Sequence, residues 1–201
     1  MKLRMFSAFA VLAVLLAAPV FSADKDAGNE KDLLKGLKCP VSGKAVVAKY
    51  TADYKGKDVH FCCPNCPKAF TKNPEKFAAK AVHQLLATKQ ITQVACPYTG
   101  EKLNPKTAVD VAGVKVSFCC KNCQKKTLAV KGDERLKMVF AKFDKGFTLQ
   151  TKCPVSGKAI DASKVTEYKG KKVYFCCPNC SKAFTKNPEK FTSKIPQLNV
   201  T

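Results

Sequence analysis

The residues best suited to chemistry in this sequence are its twelve cysteines. They form three sets with one spacing: a first cysteine, 22 intervening residues, two adjacent cysteines, two further residues and a last cysteine. The sets are Cys39, Cys62, Cys63 and Cys66; Cys96, Cys119, Cys120 and Cys123; and Cys153, Cys176, Cys177 and Cys180. Cysteines at this density bind thiophilic metal ions, form structural disulfides or exchange disulfides.

Every cysteine of one set lies 57 residues after its counterpart in the set before, so the chain is a tandem repeat. The first and third copies, over residues 38–77 and 152–191, agree at 30 of 40 aligned positions. The middle copy keeps its cysteines and the Phe-Cys-Cys run but diverges after Cys123. A unit of this size is small for a hydrophobic core alone, so a metal or disulfides are expected to stabilise each copy.

Each copy must place its first cysteine in a turn and its last three where a strand runs into a helix. In the first copy the pattern predicts strands over residues 45–50 and 59–62, joined by a turn at Gly56. A helix is predicted to begin near Pro64, and Asn73-Pro74 ends it and starts another. A helix N-terminus favours thiolates, so a turn facing it suits a metal site. The predicted fold class is α+β, with three tandem modules joined by helical linkers.

The opening Cys-Pro-Val-Ser-Gly-Lys, the later Tyr-x-Gly-Lys-x-Val-x-Phe-Cys-Cys-Pro-x-Cys and the closing Asn-Pro-Glu-Lys-Phe resemble the TRASH/YHS group of small metal-binding domains. The resemblance covers residues 39–77, 96–123 and 153–191. It implies treble-clef-like modules (a knuckle, a β-hairpin and a helix) that bind zinc, copper or another heavy metal, one ion per module and three per chain. The metal ligands implied by the resemblance are Cys39, Cys62, Cys66, Cys96, Cys119, Cys123, Cys153, Cys176 and Cys180.

The sequence departs from that family pattern at two places in each copy. Cys63, Cys120 and Cys177 are additional, and we consider them as candidate fourth ligands. Ser42, Thr99 and Ser156 stand where a paired-cysteine knuckle would have its second thiol. Whether the extra cysteine replaces that missing ligand is left open by the spacing.

Two other functions compete with metal binding by a non-enzymatic protein. Four cysteines in an exported chain can form two disulfides, which would make each copy a disulfide-stapled interaction module. Alternatively, the Cys-Pro-Asn-Cys pairs at 63–66 and 177–180 could serve a thiol–disulfide oxidoreductase. Against the oxidoreductase, the unit lacks strand–helix–strand order, and the middle copy has Lys121 in place of the proline.

The first 22 residues have the three parts of a secretory signal peptide. Lys2 and Arg4 precede an apolar run over residues 6–21, and small Ser22 supplies a cleavage site. We therefore predict an exported protein, periplasmic or secreted. The predicted organisation is a signal peptide at 1–22, a disordered lysine-rich segment at 23–37, and metal-binding modules at 38–90, 91–147 and 148–201.

The charge of the chain is strongly positive but one-sided in residue type. The net charge is +21, and only Arg4 and Arg135 among the 36 basic residues are arginines. Lysine cannot make the planar bidentate contacts by which arginine recognises bases, so no specific nucleic-acid partner is predicted. The expected partners are metal ions and another metal-handling protein, with loose association of the lysines with an anionic envelope surface.

Histidines and phenylalanines near the cysteines are assigned structural roles. His60 and His83 have no counterparts in the other copies, so we predict surface or interface roles for them and not ligation. Phe61, Phe118 and Phe175 precede the double cysteine in every copy and are predicted to fill a small core beside the sulfurs.

Overall fold

The computed structural model of the protein describes residues 32–199, so the predicted signal peptide at 1–22 lies outside the described residues. Within 32–199 the chain forms three modules of helix and antiparallel strand, which confirms the α+β prediction. Each has a Pro/Gly turn, a two-stranded hairpin and a helix that starts beside the last cysteine. No helix in this range is long and apolar enough to cross a membrane.

The first module contains one β-hairpin followed by two helices. Strands β1 (Val47–Asp53) and β2 (Asp58–Phe61) pair in antiparallel register. Helices α1 (Asn65–Lys72) and α2 (Pro74–Ala87) follow directly. They are separated by Asn73, whose side-chain oxygen accepts a backbone N–H in the first turn of α2 and caps that helix. Proline at the first position of α2 costs no hydrogen bond there.

The second and third modules repeat this order with short connecting strands. The chain continues through β3 (Thr92–Gln93), β4 (Asn104–Val111), β5 (Val114–Phe118), α3 (Lys121–Leu128), α4 (Gly132–Phe140) and α5 (Phe143–Gly146). It then forms β6 (Phe147–Thr148), β7 (Asp161–Tyr168), β8 (Lys171–Phe175), α6 (Pro178–Lys186), a 3-10 helix (Pro188–Lys194) and α7 (Pro196–Asn199). The strand pairs β4–β5 and β7–β8 are antiparallel hairpins like β1–β2.

The hairpins of the three modules turn with one backbone geometry. Lys55 and Gly56 both have positive φ, 57° and 73°, as the tightest twist-matched hairpin turn requires. The pairs at 112–113 and 169–170 do the same, with glycine again second. The two-residue loop sets the strand register next to the turn, and an irregularity shifts the register further along each hairpin. The adjacent cysteines directly follow the second strand of each hairpin.

Two hydrophobic cores stabilise the described residues, although there are three modules. The larger core joins the first two modules, because α2 packs against α4. Its fully buried side chains include Phe61, Phe70, Leu85, Phe118 and Phe140. The third module has a separate core. That core contains Val173, Phe175, Phe184 and Ile195.

The middle module fills its core differently from the other two. Phe70 and Phe184 occupy equivalent positions in the outer modules, but Thr127 stands there in the middle one. Tyr98 supplies the missing ring: it stacks on Phe118 at 5.4 Å, and its hydroxyl lies 2.7 Å from Oγ1 of Thr127. A large residue has moved to the facing position, which keeps the packed volume.

The two inter-module connections pair with each other. Strands β3 and β6 form a short antiparallel ladder, with Thr92 opposite Thr148. Beside them the carbonyl of Gly146 accepts hydrogen bonds from the N–H groups of Val94 (2.8 Å) and Ala95 (3.2 Å). A Cβ on Gly146 would lie 3.0 Å from the backbone of Pro97, so this approach requires glycine.

Residues 32–37 correct the prediction of a disordered segment at 23–37. Residues 32–34 form a helical turn, and Leu34 and Leu37 are buried. The carbonyl of Leu37 also accepts a hydrogen bond from the N–H of Val46. The polar and lysine-rich composition of the segment did not indicate that two of its leucines are buried. Residues 23–31 lie outside the described range.

Candidate metal centres

The first cysteine of each module is held in a tight turn closed by its own backbone. The N–H of Cys39 donates to the carbonyl of Lys44 at 2.7 Å, and the carbonyl of Cys39 accepts from Gly43 at 2.9 Å. Gly43 has φ of +74°, a conformation that a side chain would strain. Cys96 and Cys153 lie in equivalent turns. Each first cysteine is almost fully buried beneath its turn.

The end of the hairpin and the start of the helix bring two more sulfurs to the first one. Cys62 follows β2 and Cys66 lies in the first turn of α1, so both face the turn that contains Cys39. The three sulfurs lie within 4.8 Å of one another. The sets Cys96, Cys119, Cys123 and Cys153, Cys176, Cys180 converge in the same way. The structure thus brings together all nine residues predicted as ligands.

The sulfur spacing suits a single thiophilic ion. The sulfurs of Cys62 and Cys66 are 3.7 Å apart, and the equivalent pairs in the other modules are also 3.7 Å apart. With metal–sulfur bonds of about 2.3 Å, two thiolates on a tetrahedral ion lie about 3.8 Å apart. An ion can therefore be bound at each cluster with little movement of the side chains.

The additional cysteines lie beside the clusters and not within them. The sulfur of Cys63 is 3.4 Å from that of Cys66, and the sulfur of Cys177 is 3.6 Å from that of Cys180. Cys120 instead contacts its neighbour Cys119 at 3.7 Å. None of the three belongs to a group of mutually close sulfurs, so the role of fourth ligand stays a prediction.

A side-chain hydroxyl approaches each cluster at the knuckle position where a second thiol was missing. Oγ of Ser42 is 3.1 Å from the sulfur of Cys62, and Ser156 repeats this distance to Cys176. Thr99 donates to the sulfur of Cys119 at 3.4 Å. The hydroxyl of Ser42 also accepts the N–H of Lys44 at 3.3 Å, which leaves its own proton free to point at sulfur. Three sulfurs and one oxygen therefore surround each site.

The first cysteine of each set is activated by its surroundings. Burial raises the pKa of Cys39, but hydrogen bonds from the Ser42 hydroxyl and from backbone N–H groups of the turn outweigh it and lower the pKa to about 7. In the other modules the hydroxyls of Thr99 and Ser156, with nearby backbone N–H groups, lower the pKa of Cys96 to about 7 and that of Cys153 to about 6. These thiols provide a thiolate near neutral pH, which is the form that binds a metal.

The last cysteine of each set has the opposite tendency. Burial raises the pKa of Cys66 and of Cys123, and hydrogen bonding with the neighbouring thiols raises the pKa further. The same causes raise the pKa of Cys180 to about 12. Without an ion, the last cysteine of each set therefore keeps its proton near neutral pH. Metal binding must displace this proton, so metal affinity depends on pH.

Aromatic side chains support each cluster from below, as predicted. Phe61, Phe118 and Phe175 are fully buried next to the cysteines. In the first module the ring of Phe70 packs against Phe61 at 5.3 Å and against Tyr54 at 5.6 Å. The third module repeats both contacts through its own residues. These buried rings form the apolar packing beneath the sulfurs.

Glutamine side chains hold the strand that leads to the double cysteine, and sequence reasoning missed them. In the second module Gln93 accepts the N–H and donates to the carbonyl of Ser117. Gln150 does the same to Tyr174 in the third. These glutamines are themselves 57 residues apart, a signal that could have found them. In the first module Gln84, from α2, makes the equivalent pair of bonds with His60.

The two histidines lie away from the sulfur clusters. His83 lies between the first two modules: its Nε2 is 3.2 Å from the carbonyl of Val111 and its ring packs on Phe140. His60 corrects the prediction of a surface or interface role, because it is buried in strand β2 with only 5% of its surface exposed. Both faces of β2 are covered, one by the module core and one by α2.

The knuckle, hairpin and helix around three converging thiols define small thiolate-based metal-binding domains. Residues 37–81 and 151–194, which cover the first and third modules, match the family model of the YHS domain. The predicted resemblance is thereby confirmed for these two modules. The middle module carries an equivalent cysteine cluster. No curated protein and no solved structure matches the chain significantly.

Proposed function

We propose that this protein is an exported, non-enzymatic metal carrier that sequesters, buffers or delivers thiophilic ions. Each module takes one ion, zinc or copper, through three cysteine thiolates. The observation that carries this proposal is the convergence of three sulfurs within 4.8 Å in all three modules. The matches of the first and third modules to the YHS family model support the same class of function.

The surroundings of the clusters favour an exchangeable ion over a permanently enclosed one. Three thiolates and a hydroxyl leave a weaker fourth ligand than a four-cysteine structural site has. Ser42 makes its approach from an exposed turn, so an incoming thiolate of another metal-handling protein can replace the oxygen. Ligation dominated by thiolates suits both Zn(II) and Cu(I), and the supply of each ion then decides occupancy.

The same clusters weigh against a disulfide-stapled module. All twelve cysteines are free thiols, and in each module three sulfurs converge on one point instead of forming two separate pairs. The lowered pKa of the first thiol matches metal ligation, because it supplies a thiolate. We retain the disulfide module as the alternative that reducing and oxidising purification would separate by mass.

The metal proposal is tested on the whole chain, loaded under reducing conditions with Zn(II) or with Cu(I). Elemental analysis should give three ions per chain. Cys39→Ser, Cys96→Ser and Cys153→Ser should each remove one ion. A chain that retains three ions in all three variants, or binds none, would contradict the proposal. Repeated turnover of a small disulfide substrate by a chain that keeps all its ions would contradict a non-enzymatic role.

Export is tested separately by fractionating cells that express the full sequence. The mature protein should be found outside the cytoplasm with a mass that corresponds to loss of residues 1–22. Deleting residues 6–21 should retain it inside. The lysines should give at most a salt-sensitive association with anionic vesicles.

A further inference from the structure

The pair Cys63–Cys66 is not explained by a three-thiolate metal site, and the same holds for Cys177–Cys180. In each pair one thiol belongs to the metal cluster and the other lies beside it, with sulfurs 3.4 Å and 3.6 Å apart. We propose that these two pairs are oxidation sites, at which a disulfide removes one metal ligand and releases the ion. This inference rests on the proposed metal-binding function.

The backbone already holds the first pair in a suitable arrangement for a disulfide. The N–H of Cys66 donates to the carbonyl of Cys63 at 3.3 Å, which closes the turn between them. Residues three apart in a helical turn have neighbouring side chains. A disulfide needs Cα atoms about 4.4–6.8 Å apart, which a helical turn provides. Rotation of the side chains is then enough to bring the sulfurs into bonding distance.

Access and burial assign different roles to the two sulfurs. Cys63 and Cys177 are partly exposed, so a dissolved oxidant reaches them. Cys66 and Cys180 are buried in the clusters, so they react only from within the protein. The exposed thiol therefore meets the oxidant first, and the metal ligand resolves the intermediate.

The chemistry is exchange with a small-molecule disulfide. The Cys63 thiol loses its proton and attacks the disulfide, forms a mixed disulfide and expels one small thiol, which takes up the proton. The Cys66 sulfur then leaves the metal, attacks the Cys63 sulfur and expels the second small molecule as a thiolate. One small disulfide is reduced to two thiols, and one protein disulfide forms. The ion is left with Cys39 and Cys62, which are too few to retain it.

The middle module serves as an internal contrast. The sulfur of Cys120 is 3.7 Å from that of Cys119, whereas the short sulfur contacts of Cys63 and Cys177 are with the last cysteine of their sets. Consecutive Cα atoms are about 3.8 Å apart, below the usual range for a disulfide, so this pair is strained when bridged. Oxidation should therefore empty the outer two sites and leave the middle one loaded.

The test uses the whole chain loaded with Zn(II) and exposed to oxidised glutathione. A chromophoric chelator measures released zinc, and peptide mass spectrometry locates the disulfides. Two of three ions should be released, with bridges at 63–66 and 177–180, and a dithiol reductant should restore binding. The double variant Cys63→Ser and Cys177→Ser should keep three ions and release them at least tenfold more slowly. The matched control Cys120→Ser should behave as the unmodified chain.

Three results would overturn the inference. Equal release from the double variant and the unmodified chain would show that the extra thiols are not the reactive ones. Bridges mapped to 62–66 would assign the chemistry to the ligands alone. Slower release in Cys120→Ser would place it in the middle module. If the chain bound no zinc, the proposed function would fail, while mapping on the metal-free chain would still show whether the 63–66 bridge forms.

Discussion

The side-chain oxygen of Ser42 lies 3.1 Å from the sulfur of Cys62, at the place where a knuckle of paired cysteines would have its second thiol. The backbone N–H of Lys44 fixes this oxygen, so its proton is directed towards the cluster. The contact recurs in the third module between Ser156 and Cys176. A hydroxyl that stabilises thiolates while ligating weakly suits binding and release better than permanent enclosure.

Replacing this hydroxyl should change metal affinity in a predictable direction. In Ser42→Ala the pKa of Cys39 should rise, because the hydroxyl that stabilises its thiolate is lost. A hydrogen bond to a charged group contributes about 1.5–3 kcal/mol, so zinc affinity of that site should fall by roughly tenfold or more at pH 7. Competition with a chelator, followed by native mass spectrometry of the whole chain, measures this. Ser42→Cys should instead tighten binding, and a weaker Ser42→Cys site would argue against the hydroxyl position.

The ligand and the additional thiol should respond differently to serine substitution. Cys39→Ser and Cys66→Ser should each remove one ion and loosen the first module, because metal-binding energy is largely folding energy in small units. Cys63→Ser should keep the ion, since its sulfur lies outside the converging group. Zinc content and limited proteolysis measure both effects. Full occupancy in Cys39→Ser with loss in Cys63→Ser would point to a local cluster at the helix start.

The contact between the first two modules should weaken as pH falls. Burial lowers the pKa of His83 in the folded protein, against partial opposition from the carbonyls of Ala112 and Val111 and from Asp110. As pH falls below about 6.5, His83 therefore takes up a proton in the unfolded chain before it does so in the folded protein. The free energy of unfolding decreases over this range. Denaturant unfolding of the metal-free chain between pH 7.5 and about 5 should show this slope. His83→Gln should reduce it, and an unchanged slope would contradict the assignment.

Gly146 should not tolerate a side chain. A Cβ there would lie 3.0 Å from Cα of Pro97 and 3.3 Å from the carbonyl oxygen of Ala95, both backbone atoms that cannot move aside easily. We expect Gly146→Ala to cost about 1–3 kcal/mol of unfolding free energy, as overpacking does. Lys145→Ala, at an exposed neighbouring position, is the matched control and should cost little. Equal stability of the two variants would show that the connection is not tightly packed.

Removing a glutamine that bonds to a strand should lower the free energy of unfolding, because backbone groups of that strand lose their partners. In Gln150→Ala the buried N–H and carbonyl of Tyr174 lose their partners, at about 1–3 kcal/mol for each group left unsatisfied. Gln90 makes the same two bonds to Asp58 at an exposed edge, so Gln90→Ala should cost less because water replaces it. Thermal unfolding of both metal-loaded variants makes the comparison. A larger loss in Gln90→Ala would refute this explanation.

Much of the fold and the nine cysteines that converge in three clusters could be predicted from the sequence, because the information is local. The 57-residue displacement gives the repeat, Gly56 and Asn73-Pro74 mark the turn and the helix break, and the cysteine spacing places three sulfurs at one end of each hairpin. Each of these signals depends on backbone preferences of a few residues.

Contacts between modules could not be predicted in this way. Helix α2 packs on α4, and His83 lies against the hairpin turn of the next module. Both contacts depend on surfaces that are far apart in sequence. The role of Gln84 could not be predicted for a related reason. Gly36 stands where Gln93 and Gln150 stand in the later modules, so the first module takes its glutamine from a helix that the repeat does not align with them.

The division of the interior into two cores means that the three repeated units are not equally exchangeable. The third module encloses its own apolar side chains and could be moved to another protein as a cassette. The first and second bury Leu85 and Phe140 in one interior, so neither can be cut out without exposing the other. The boundary near residue 150 is therefore the place at which further cysteine-cluster modules could be added without opening a shared core.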